Sequence, residues 1–245
     1  MGQHPPVYCL NYDNESRRQS MVKRFAAVGL NPSAVHVYGG IAESDPRIAG
    51  RGLDSHVARV WSCAYGHLDM IRTFVERDTS AFGLFCEDDL LIDAAFGARV
   101  RVLVPYVEAV GLDLVLLGYL LPFQLSLSAT TCTHVLAYRT PEADVRYGLH
   151  LYGQDLWGTQ MYLLSRVHAE TILDRYANGY ADQCLALKSQ TQVFASDFMI
   201  TKTGNRRMLY PMLAIEDGLA TYTDVGQQMF HAACHTVQVK MSTYV

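Results

Sequence analysis

Apolar and polar positions follow one another along the chain in a way that predicts strands separated by helices. Short apolar runs predict strands at residues 7–10, 34–38, 81–87, 112–118 and 158–165. Apolar side chains spaced three and four positions apart predict helices at residues 15–28, 55–76, 94–110 and 166–176. Strands alternating with helices are typical of an α/β domain with a mostly parallel central sheet flanked by helices.

The chain length predicts a single domain. With 245 residues, half of them hydrophobic, the chain can bury roughly three-quarters of its unfolded surface around one core. We therefore expect one domain over residues 1–245, without internal repeats. The pattern is weakest at residues 120–152, where Thr, Ser and Pro favour short strands or loops.

Charge and hydropathy narrow the classes of partner. The chain has 20 Lys and Arg against 24 Asp and Glu, a formal charge of −4, and no basic run long enough to follow a phosphate backbone. Nucleic acid is therefore not an expected partner. No apolar stretch reaches the ~18 residues of a transmembrane segment, and the first residues do not form a leader pattern. We expect a soluble, cytoplasmic protein.

The six cysteines stand singly, without any Cys-x-x-Cys pair. Most of them lie in apolar surroundings, which favours reduced thiols in the core and argues against a zinc cluster. They are Cys9, Cys63, Cys86, Cys132, Cys184 and Cys234.

Three consecutive carboxylates, Glu87, Asp88 and Asp89, follow an apolar run. Like charges this close repel, and burying them costs several kcal/mol unless a cation neutralises them. Because carboxylate oxygens are the ligands of hard divalent metals, the acids suggest a metal site. The alternative is that they cap the next helix or stay solvated in a loop. In an α/β domain, ligands bind at the carboxyl ends of strands, where both these acids and Asn11 lie.

Four blocks of sequence stand in a distinctive order. The chain opens with Val7-Tyr-Cys-Leu-Asn-Tyr-Asp13, followed by Arg17-Arg18, and continues with Cys63-Ala-Tyr-Gly-His67, Phe85-Cys-Glu-Asp-Asp-Leu90 and Gly158-Thr-Gln-Met-Tyr-Leu-Leu-Ser-Arg166. In this order the blocks resemble family 25 of the glycosyltransferases. The second block is similar to the family's Gly-Cys-x-x-Ser-His helix, in which His67 is expected to pack, the third to its Glu-Asp-Asp motif and the fourth to its Gly-Thr-x-x-Tyr-Leu-Ile-Ser block.

The resemblance implies a Rossmann-like GT-A fold and transfer of a sugar from a UDP- or GDP-sugar to a hydroxyl of a glycan acceptor. Residues 1–118 would form the donor-binding half and residues 119–245 the acceptor-side half, in which Tyr210-Pro211 resembles a late Tyr-Pro block. The implied cofactor is Mn²⁺ or Mg²⁺, which as a Lewis acid stabilises charge on the departing diphosphate. The same lineage includes sugar transferases of large algal DNA viruses, and a viral chain would work in the host cytoplasm.

The resemblance also implies roles for the acids. Asp89 would bind the metal, and Glu87 would contact the donor ribose or a metal-bound water. Asp88, between them on an extended chain, points to the opposite side and is expected to hold the loop. GT-A enzymes commonly add a histidine ligand from near the C-terminus, for which His231 and His235 are the candidates. The alternative for both is an ordinary structural histidine.

The donor nucleotide is expected to lie beside the first strand. Arg17 or Arg18 would reach the diphosphate, and the alternative is that both are merely solvated. Gly39 and Gly40 would let the nucleotide approach the backbone closely, and the alternative is that they only form a turn. The expected contacts are Leu10, Asn11, Tyr12, Arg17, Arg18, Gly39, Gly40, Glu87 and Asp88.

Transfer with inversion needs a base that takes the proton of the acceptor hydroxyl. Asp197 is the first candidate, because inverting GT-A enzymes similarly present an acid at the start of a late helix. The alternative is that Ser196 or Asp197 only caps that helix. Asp155 is the second candidate, and Trp157 and Tyr152 nearby would stack on a sugar or fill the core.

Two other classes of function use the same residues. A metal-dependent nucleotide-sugar hydrolase or nucleotidyltransferase would release phosphate or nucleotide without a glycan product. An inactive glycan-binding module would bind sugar without a donor or a metal. The order of the sequence blocks favours the transferase.

Overall fold

The computed structural model describes residues 4–31, 35–42, 44–120, 131–139, 144–153, 156–187, 193–219 and 224–245. The strands are β1 (Val7–Asn11), β2 (Val35–Gly39), β3 (Phe82–Glu87), β4 (Leu90–Ile92), β5 (Leu114–Leu120), β6 (Cys132–Arg139), β7 (Asp144–His150), β8 (Trp157–Ser165), β9 (Arg206–Tyr210) and β10 (Ala214–Glu216). The helices are α1 (Glu15–Ala27), α2 (Ser55–Arg77), α3 (Phe96–Ala109), α4 (Arg166–Tyr176), α5 (Tyr180–Leu187), α6 (Ser196–Thr201) and α7 (Val225–Gln238).

Most of the strands form one mixed sheet. Its order is β2-β1-β3-β8-β5-β9-β7-β6, while β4 and β10 form a separate two-stranded sheet. β1 is parallel to β2 and β3, and β5 is parallel to β9, whereas β8 runs antiparallel between β3 and β5. The predicted α/β class is confirmed, with mostly parallel central strands flanked by helices, and the arrangement is compatible with a Rossmann-like fold.

The elements predicted from the apolar pattern are all present, with bounds that differ by at most two residues. The region of weak pattern contributes β6 and β7, which pair with each other, and β7 adds this pair to the main sheet beside β9. Residues 121–130 and 140–143 lie outside the described residues. The pattern was weak here because these strands lie towards one side of the sheet and are less evenly buried.

Both faces of the sheet are covered, which explains the unbroken apolar runs. On one face Tyr8, Phe85 and Tyr162 stack in a row across three neighbouring strands, with ring centroids 5.2 Å apart, and pack against α2, α4 and α6. On the other face Cys9 and Met161 belong to a second apolar cluster that includes α1 and α3. Every position of β1 is buried as a result.

Arg166 anchors the C-terminal end of α2. Its guanidinium donates hydrogen bonds of 2.7–3.3 Å to the carbonyl oxygens of Phe74, Val75, Asp78 and Ser80. The same group lies 4.5 Å from the centroid of the Phe74 ring. The last carbonyls of a helix lack partners within the helix, so Arg166 satisfies them and ties α2 to the start of α4.

The two-stranded sheet holds the chain that follows the acids. β4 begins at Leu90, directly after Asp89, and Leu90 lies opposite Glu216 of β10. The backbone N–H of Asp217 donates to the carbonyl of Asp89 at 2.7 Å, and Arg24 of α1 donates to the carbonyl of Leu90 at 2.8 Å. The acidic loop is therefore held at its end by β10 and α1.

β10 packs closely against Gly118 of β5, and a larger side chain at this position tests that packing. A Cβ at this position would lie 2.7 Å from the carbonyl oxygen of Ala214, a backbone atom that moves only if β10 moves. We expect Gly118→Ala to lower the free energy of unfolding by about 1–3 kcal/mol, the usual cost of overpacking, in urea denaturation.

Gly39→Ala is the matched control, since a Cβ at Gly39 would have no atom within 4 Å. We expect it to change the free energy of unfolding by less than about 0.5 kcal/mol. Equal losses in the two variants would contradict the close approach of β10 to Gly118.

Candidate functional site

A cavity of about 320 Å³ opens at the carboxyl ends of β1 and β3. Its lining residues are Leu10, Tyr12, Arg17, Gly40, Arg59, Ser62, Cys63, Glu87, Asp88 and Asp89. The structure thus brings together most of the residues predicted to contact the donor, at the edge where α/β sheets bind ligands. Sequence reasoning missed Arg59, because an exposed arginine of an amphipathic helix has no distinguishing pattern.

A larger cavity, of about 760 Å³, lies at the opposite edge of the sheet. It is bordered by the amino ends of β1 and β3, with His4, Asp78, Arg101 and Glu108 among its lining residues. None of the predicted site residues lines it. We therefore place the candidate site at the smaller cavity, where the chemistry is concentrated.

Asp88 ties the acidic loop to β1 and α1. Its carboxylate accepts a hydrogen bond from Asn11 Nδ2 at 2.5 Å and one from Arg17 Nη1 at 3.2 Å. Burial raises the pKa of Asp88 above its usual value, and the Arg17 charge opposes this rise. Asp88 thus holds the loop. It lines the same cavity as Glu87 and Asp89, because the strand ends at Glu87, so the prediction that it points to the opposite side is wrong. A contact with a donor stays a prediction.

Asp89 carries the least compensated charge of the loop. Its Oδ1 is buried and has no hydrogen-bond partner within the part of the chain that the structure describes, and its Oδ2 lies 3.5 Å from Arg17 Nη1. Burial, and then repulsion from Glu87 and Glu216, raises the pKa of Asp89 well above its usual range. A buried carboxylate oxygen without a donor fits a cation ligand, so the residues present fit the predicted metal.

Glu87 ends β3 among polar side chains from other elements. Its Oε1 accepts a hydrogen bond from Thr159 Oγ1 at 3.0 Å and lies 3.5 Å from His67 Nε2. Burial acts to raise the pKa of Glu87, but the contacts with His67 and Thr159 outweigh it and hold that pKa below its usual value. Glu87 is therefore ionised at neutral pH.

Cys63 forms a potential metal-binding cluster with His67 and Glu87. One ligand atom from each residue lies within 4.8 Å of the other two. Cys63 and His67 are one turn apart on α2 and share a face of that helix. The sequence argued against a zinc cluster because it has no Cys-x-x-Cys pair. In the structure the third residue of the cluster, Glu87, comes from β3, which is distant from Cys63 in sequence. The structure describes all six cysteines, and none of them forms a disulfide bond, in agreement with the predicted reduced thiols.

Asp197 lies in the first turn of α6 but does not cap it. The capping position is Ala195, where the chain is still extended, so the alternative of a cap at Ser196 or Asp197 is wrong. Instead, Asp197 Oδ1 accepts a hydrogen bond from the backbone N–H of Gly158 at 3.0 Å. Ser196 Oγ lies 3.1 Å from Thr159 Oγ1, which itself donates to the acidic group.

The environment of Asp197 suits a proton acceptor. Burial, and then the charge of Glu87, raises the pKa of Asp197 to about 6. A carboxylate with this pKa is mostly ionised at neutral pH, yet accepts a proton more readily than an ordinary aspartate. Asp155, the second candidate, lies outside the described residues.

Two aromatic side chains contact residues at the C-terminal end of α6, the helix that carries Asp197. Trp157 precedes the glycine that binds Asp197, is 44% exposed, and has the Lys202 ammonium 4.7 Å from its ring centroid. Tyr152 is half-buried, and its hydroxyl donates to the carbonyl of Thr201 at 2.7 Å. Of the two, Trp157 therefore presents the more accessible ring.

α7 brings both predicted histidines to Glu216. His231 Nδ1 lies 2.7 Å from Glu216 Oε2, and His235 Nδ1 donates to the Glu216 carbonyl at 2.8 Å. Glu216 lies opposite Leu90 in the β4–β10 pair, which places this group beside the acidic loop, and its charge contributes to the raised pKa of Asp89. Sequence reasoning missed Glu216, because a three-residue strand has no readable period. Metal binding by the histidines stays a prediction.

The predicted glycines lie beside β1, in different ways. Gly39 pairs with Asn11 between β2 and β1, and the backbone N–H of Gly40 donates to the Asn11 carbonyl at 2.7 Å. A side chain at Gly40 would overlap Tyr12, so glycine permits a close approach here.

Arg18 differs from Arg17 in its surroundings. It forms an ion pair with Glu15 at 2.6 Å on the exposed face of α1 and does not line the cavity. Of the two predicted arginines, the structure brings only Arg17 to the acids.

No family model matches the sequence, and no curated protein is significantly similar to it. The resemblance to family 25 glycosyltransferases therefore rests on its ordered blocks and stays a prediction. Within the described ranges, no helix combines the length and the apolar character that crossing a membrane requires.

The raised pKa of Asp197 predicts a loss of stability as pH rises. An aspartate of the unfolded chain ionises at a pKa of about 3.9, whereas Asp197 of the folded protein ionises at about 6. Between these values the folded state binds more protons, so the free energy of unfolding falls as pH increases through this window. Asp197→Asn removes the ionisable group and with it this decrease in the free energy of unfolding. We expect the wild type to lose about 1–2 kcal/mol relative to the variant between pH 4 and pH 7, in urea denaturation.

Asp174→Asn controls for the loss of one carboxylate, because Asp174 is exposed on α4. Its stability difference from the wild type should vary less over the same pH range. If Asp197→Asn and the wild type keep a constant difference in stability, the raised pKa of Asp197 is refuted.

Proposed function

We propose that the protein is a metal-dependent glycosyltransferase with a GT-A fold, which moves a sugar from a nucleotide-diphosphate sugar to a hydroxyl of a glycan with inversion. The observation that carries the proposal is the buried oxygen of Asp89, which has no partner in the described part of the chain and lies beside a cavity that Arg17 and Arg59 border. A diphosphate leaving group needs both features, because its charge is stabilised by a cation held on carboxylates and by guanidinium groups.

The cavity suits the donor in size and lining. Its volume of about 320 Å³ lies within the range of small-molecule pockets, roughly 300–1,000 Å³. Tyr12 is 56% exposed and offers a ring on which a nucleobase can stack, while Leu10 supplies an apolar wall. Arg17 and Arg59 would bind the diphosphate between the base and the acids.

The cofactor would be Mn²⁺ or Mg²⁺, held by Asp89 and Glu87. When bound, the metal supplies positive charge that stabilises the departing diphosphate. Asp88 keeps the loop in place through Asn11, so that its two neighbours remain directed to the cavity. His231 is the candidate for a further ligand, since its partner Glu216 adjoins the acids.

Asp197 would accept the proton of the attacking hydroxyl. The Gly158 N–H fixes its carboxylate, and the pKa of about 6 lets it act as a base at neutral pH. An acceptor sugar stacked on the exposed ring of Trp157, one residue before Gly158, would lie close to this carboxylate. A single displacement requires a base for the acceptor proton, here Asp197, and positive charge for the diphosphate, here the metal and the arginines.

The donor site predicts metal-dependent binding of nucleotides. We expect UDP or GDP to bind more tightly with Mn²⁺, and Asp89→Asn to abolish that gain because the negative charge and one of the two carboxylate oxygens are lost. Calorimetry with and without Mn²⁺ measures both, after a thermal-shift screen of nucleotide sugars identifies the donor.

Asp174→Asn is again the control and should bind as the wild type does. If Asp89→Asn keeps the full Mn²⁺-dependent gain, Asp89 does not hold the metal. Glycan binding by the wild type without any nucleotide binding would point to a sugar-binding module instead.

If Asp197 is the base, replacing it should lower the rate of sugar transfer without changing donor binding. Asp197→Asn keeps the size of the side chain but cannot accept the proton, so we expect transfer to fall by on the order of 10²-fold or more while donor affinity stays near the wild-type value. Transfer rates and calorimetry measure the two effects.

The product anomer, read by nuclear magnetic resonance, tests the stereochemistry. Retention of the donor configuration would overturn the single displacement, and an undiminished rate in Asp197→Asn would remove Asp197 as the base. Release of free sugar at the full rate, with no glycan product for any acceptor, would indicate a hydrolase.

A further inference from the structure

The cluster of Cys63, His67 and Glu87 differs in chemistry from the acids beside it. Thiolate and imidazole are ligands for borderline and soft metals, whereas Mn²⁺ and Mg²⁺ prefer oxygen. A site with one sulfur, one nitrogen and one oxygen therefore selects a cation that Asp89 and its neighbours do not. Both Cys63 and Glu87 line the cavity, which gives a cation a path to the cluster.

The backbone holds the three ligands on regular elements. Cys63 and His67 lie four residues apart on α2, and Glu87 is the last residue of β3. Their ligand atoms lie within 4.8 Å of one another. Bond lengths of about 2.0–2.3 Å in a tetrahedral zinc site place ligand atoms about 3.3–3.8 Å apart. Side-chain rotations that shorten these separations by about 1 Å would close the site.

His67 supplies an independent sign of a ligand. Its side chain is fully buried, and among the described residues its Nε2 has no hydrogen-bond partner, with Glu87 Oε1 3.5 Å away. Its Nδ1 lies 3.0 Å from the hydroxyl of Tyr162. When Nδ1 donates to Tyr162, the lone pair of Nε2 is available on the side of Cys63 and Glu87.

Neighbouring hydroxyls orient the other two ligands. Thr159 Oγ1 donates to Glu87 at 3.0 Å, and Ser196 Oγ lies 3.6 Å from Cys63 Sγ. Thr159 and Ser196 are themselves 3.1 Å apart. Each ligand thus has a polar partner behind it, the arrangement that orients ligands in protein metal sites.

We propose that Cys63, His67 and Glu87 form a binding site for a thiophilic divalent cation of the Zn²⁺ class. The cation takes the Cys63 sulfur, His67 Nε2 and a Glu87 oxygen, with water as the fourth ligand, and the thiol proton is released to solvent. The site shares Glu87 with the proposed donor-metal site, but it goes beyond the proposed function and does not rest on it, since it needs neither a nucleotide nor Asp89.

Cobalt(II) is the probe, because it replaces Zn²⁺ and absorbs visibly. The full chain, reduced and free of metal, is titrated with Co²⁺. We expect a thiolate-to-cobalt charge-transfer band in the near ultraviolet and the intense visible bands of a tetrahedral ion, saturating at one equivalent and bleached by Zn²⁺. Cys63→Ser should lose the charge-transfer band, and Glu87→Gln should weaken Co²⁺ binding.

Two controls separate this site from others. Cys184→Ser removes a thiol elsewhere and should keep the band. Asp89→Asn removes the proposed donor metal ligand and should also keep it, so a failure of the donor site and a failure of this cluster give different results. Absence of the band in the wild type, or its persistence in Cys63→Ser, would overturn the proposal.

A second measurement needs no variant. Alkylation of the wild type followed by mass spectrometry reports each thiol separately. Zn²⁺ should protect Cys63 and leave Cys184 unprotected. Equal alkylation of Cys63 with and without Zn²⁺ would also overturn the proposal.

Discussion

The charge balance of the acids at the end of β3 is the constraint on which the rest of the site depends. The carboxylates that meet there are Glu87, Asp88, Asp89, Glu216 and Asp217. Arg17 contacts two of them, and Arg24 lies 3.6 Å from Asp217. Buried like charges are tolerated only when each finds a donor, a counter-charge or a proton. Helix α1, which carries both arginines, is thus held on the sheet by electrostatics as well as by apolar packing.

Unequal compensation is what distinguishes three acids that are adjacent in sequence. Asp88 accepts hydrogen bonds from Asn11 and Arg17, and Glu87 accepts one from Thr159, whereas one oxygen of Asp89 has no partner among the described residues. The same type of side chain therefore holds the loop at Asp88, is ionised at Glu87 and, at Asp89, has a buried oxygen to which no described residue donates. Their different partners come from β1, β8 and α1, so the division of roles requires the whole sheet and not the loop alone.

The sequence predicts the elements and the edge of the sheet, because buried strands and amphipathic helices have strong periods and parallel strands end together. It does not predict the direction of β8, since an apolar run reads the same both ways. The sequence does not identify Glu216 and Arg59 as site residues, because neither lies in a distinctive pattern. Asp197 was placed correctly at the start of a helix, but a shift of one residue separates a cap from the first turn, and only tertiary contacts with Gly158 decide its partner.

Arg166 bears on how this fold can diverge in evolution. A change from arginine to lysine counts as conservative when sequences are aligned, but an ammonium has only three N–H donors and cannot bond the four carbonyl oxygens that Arg166 bonds. Apolar residues around α2 can exchange with one another at similar volume, whereas this position tolerates little. In relatives whose core residues have changed too much to align, an arginine directly after the strand equivalent to β8 would therefore be a better sign of common descent than the apolar residues around α2.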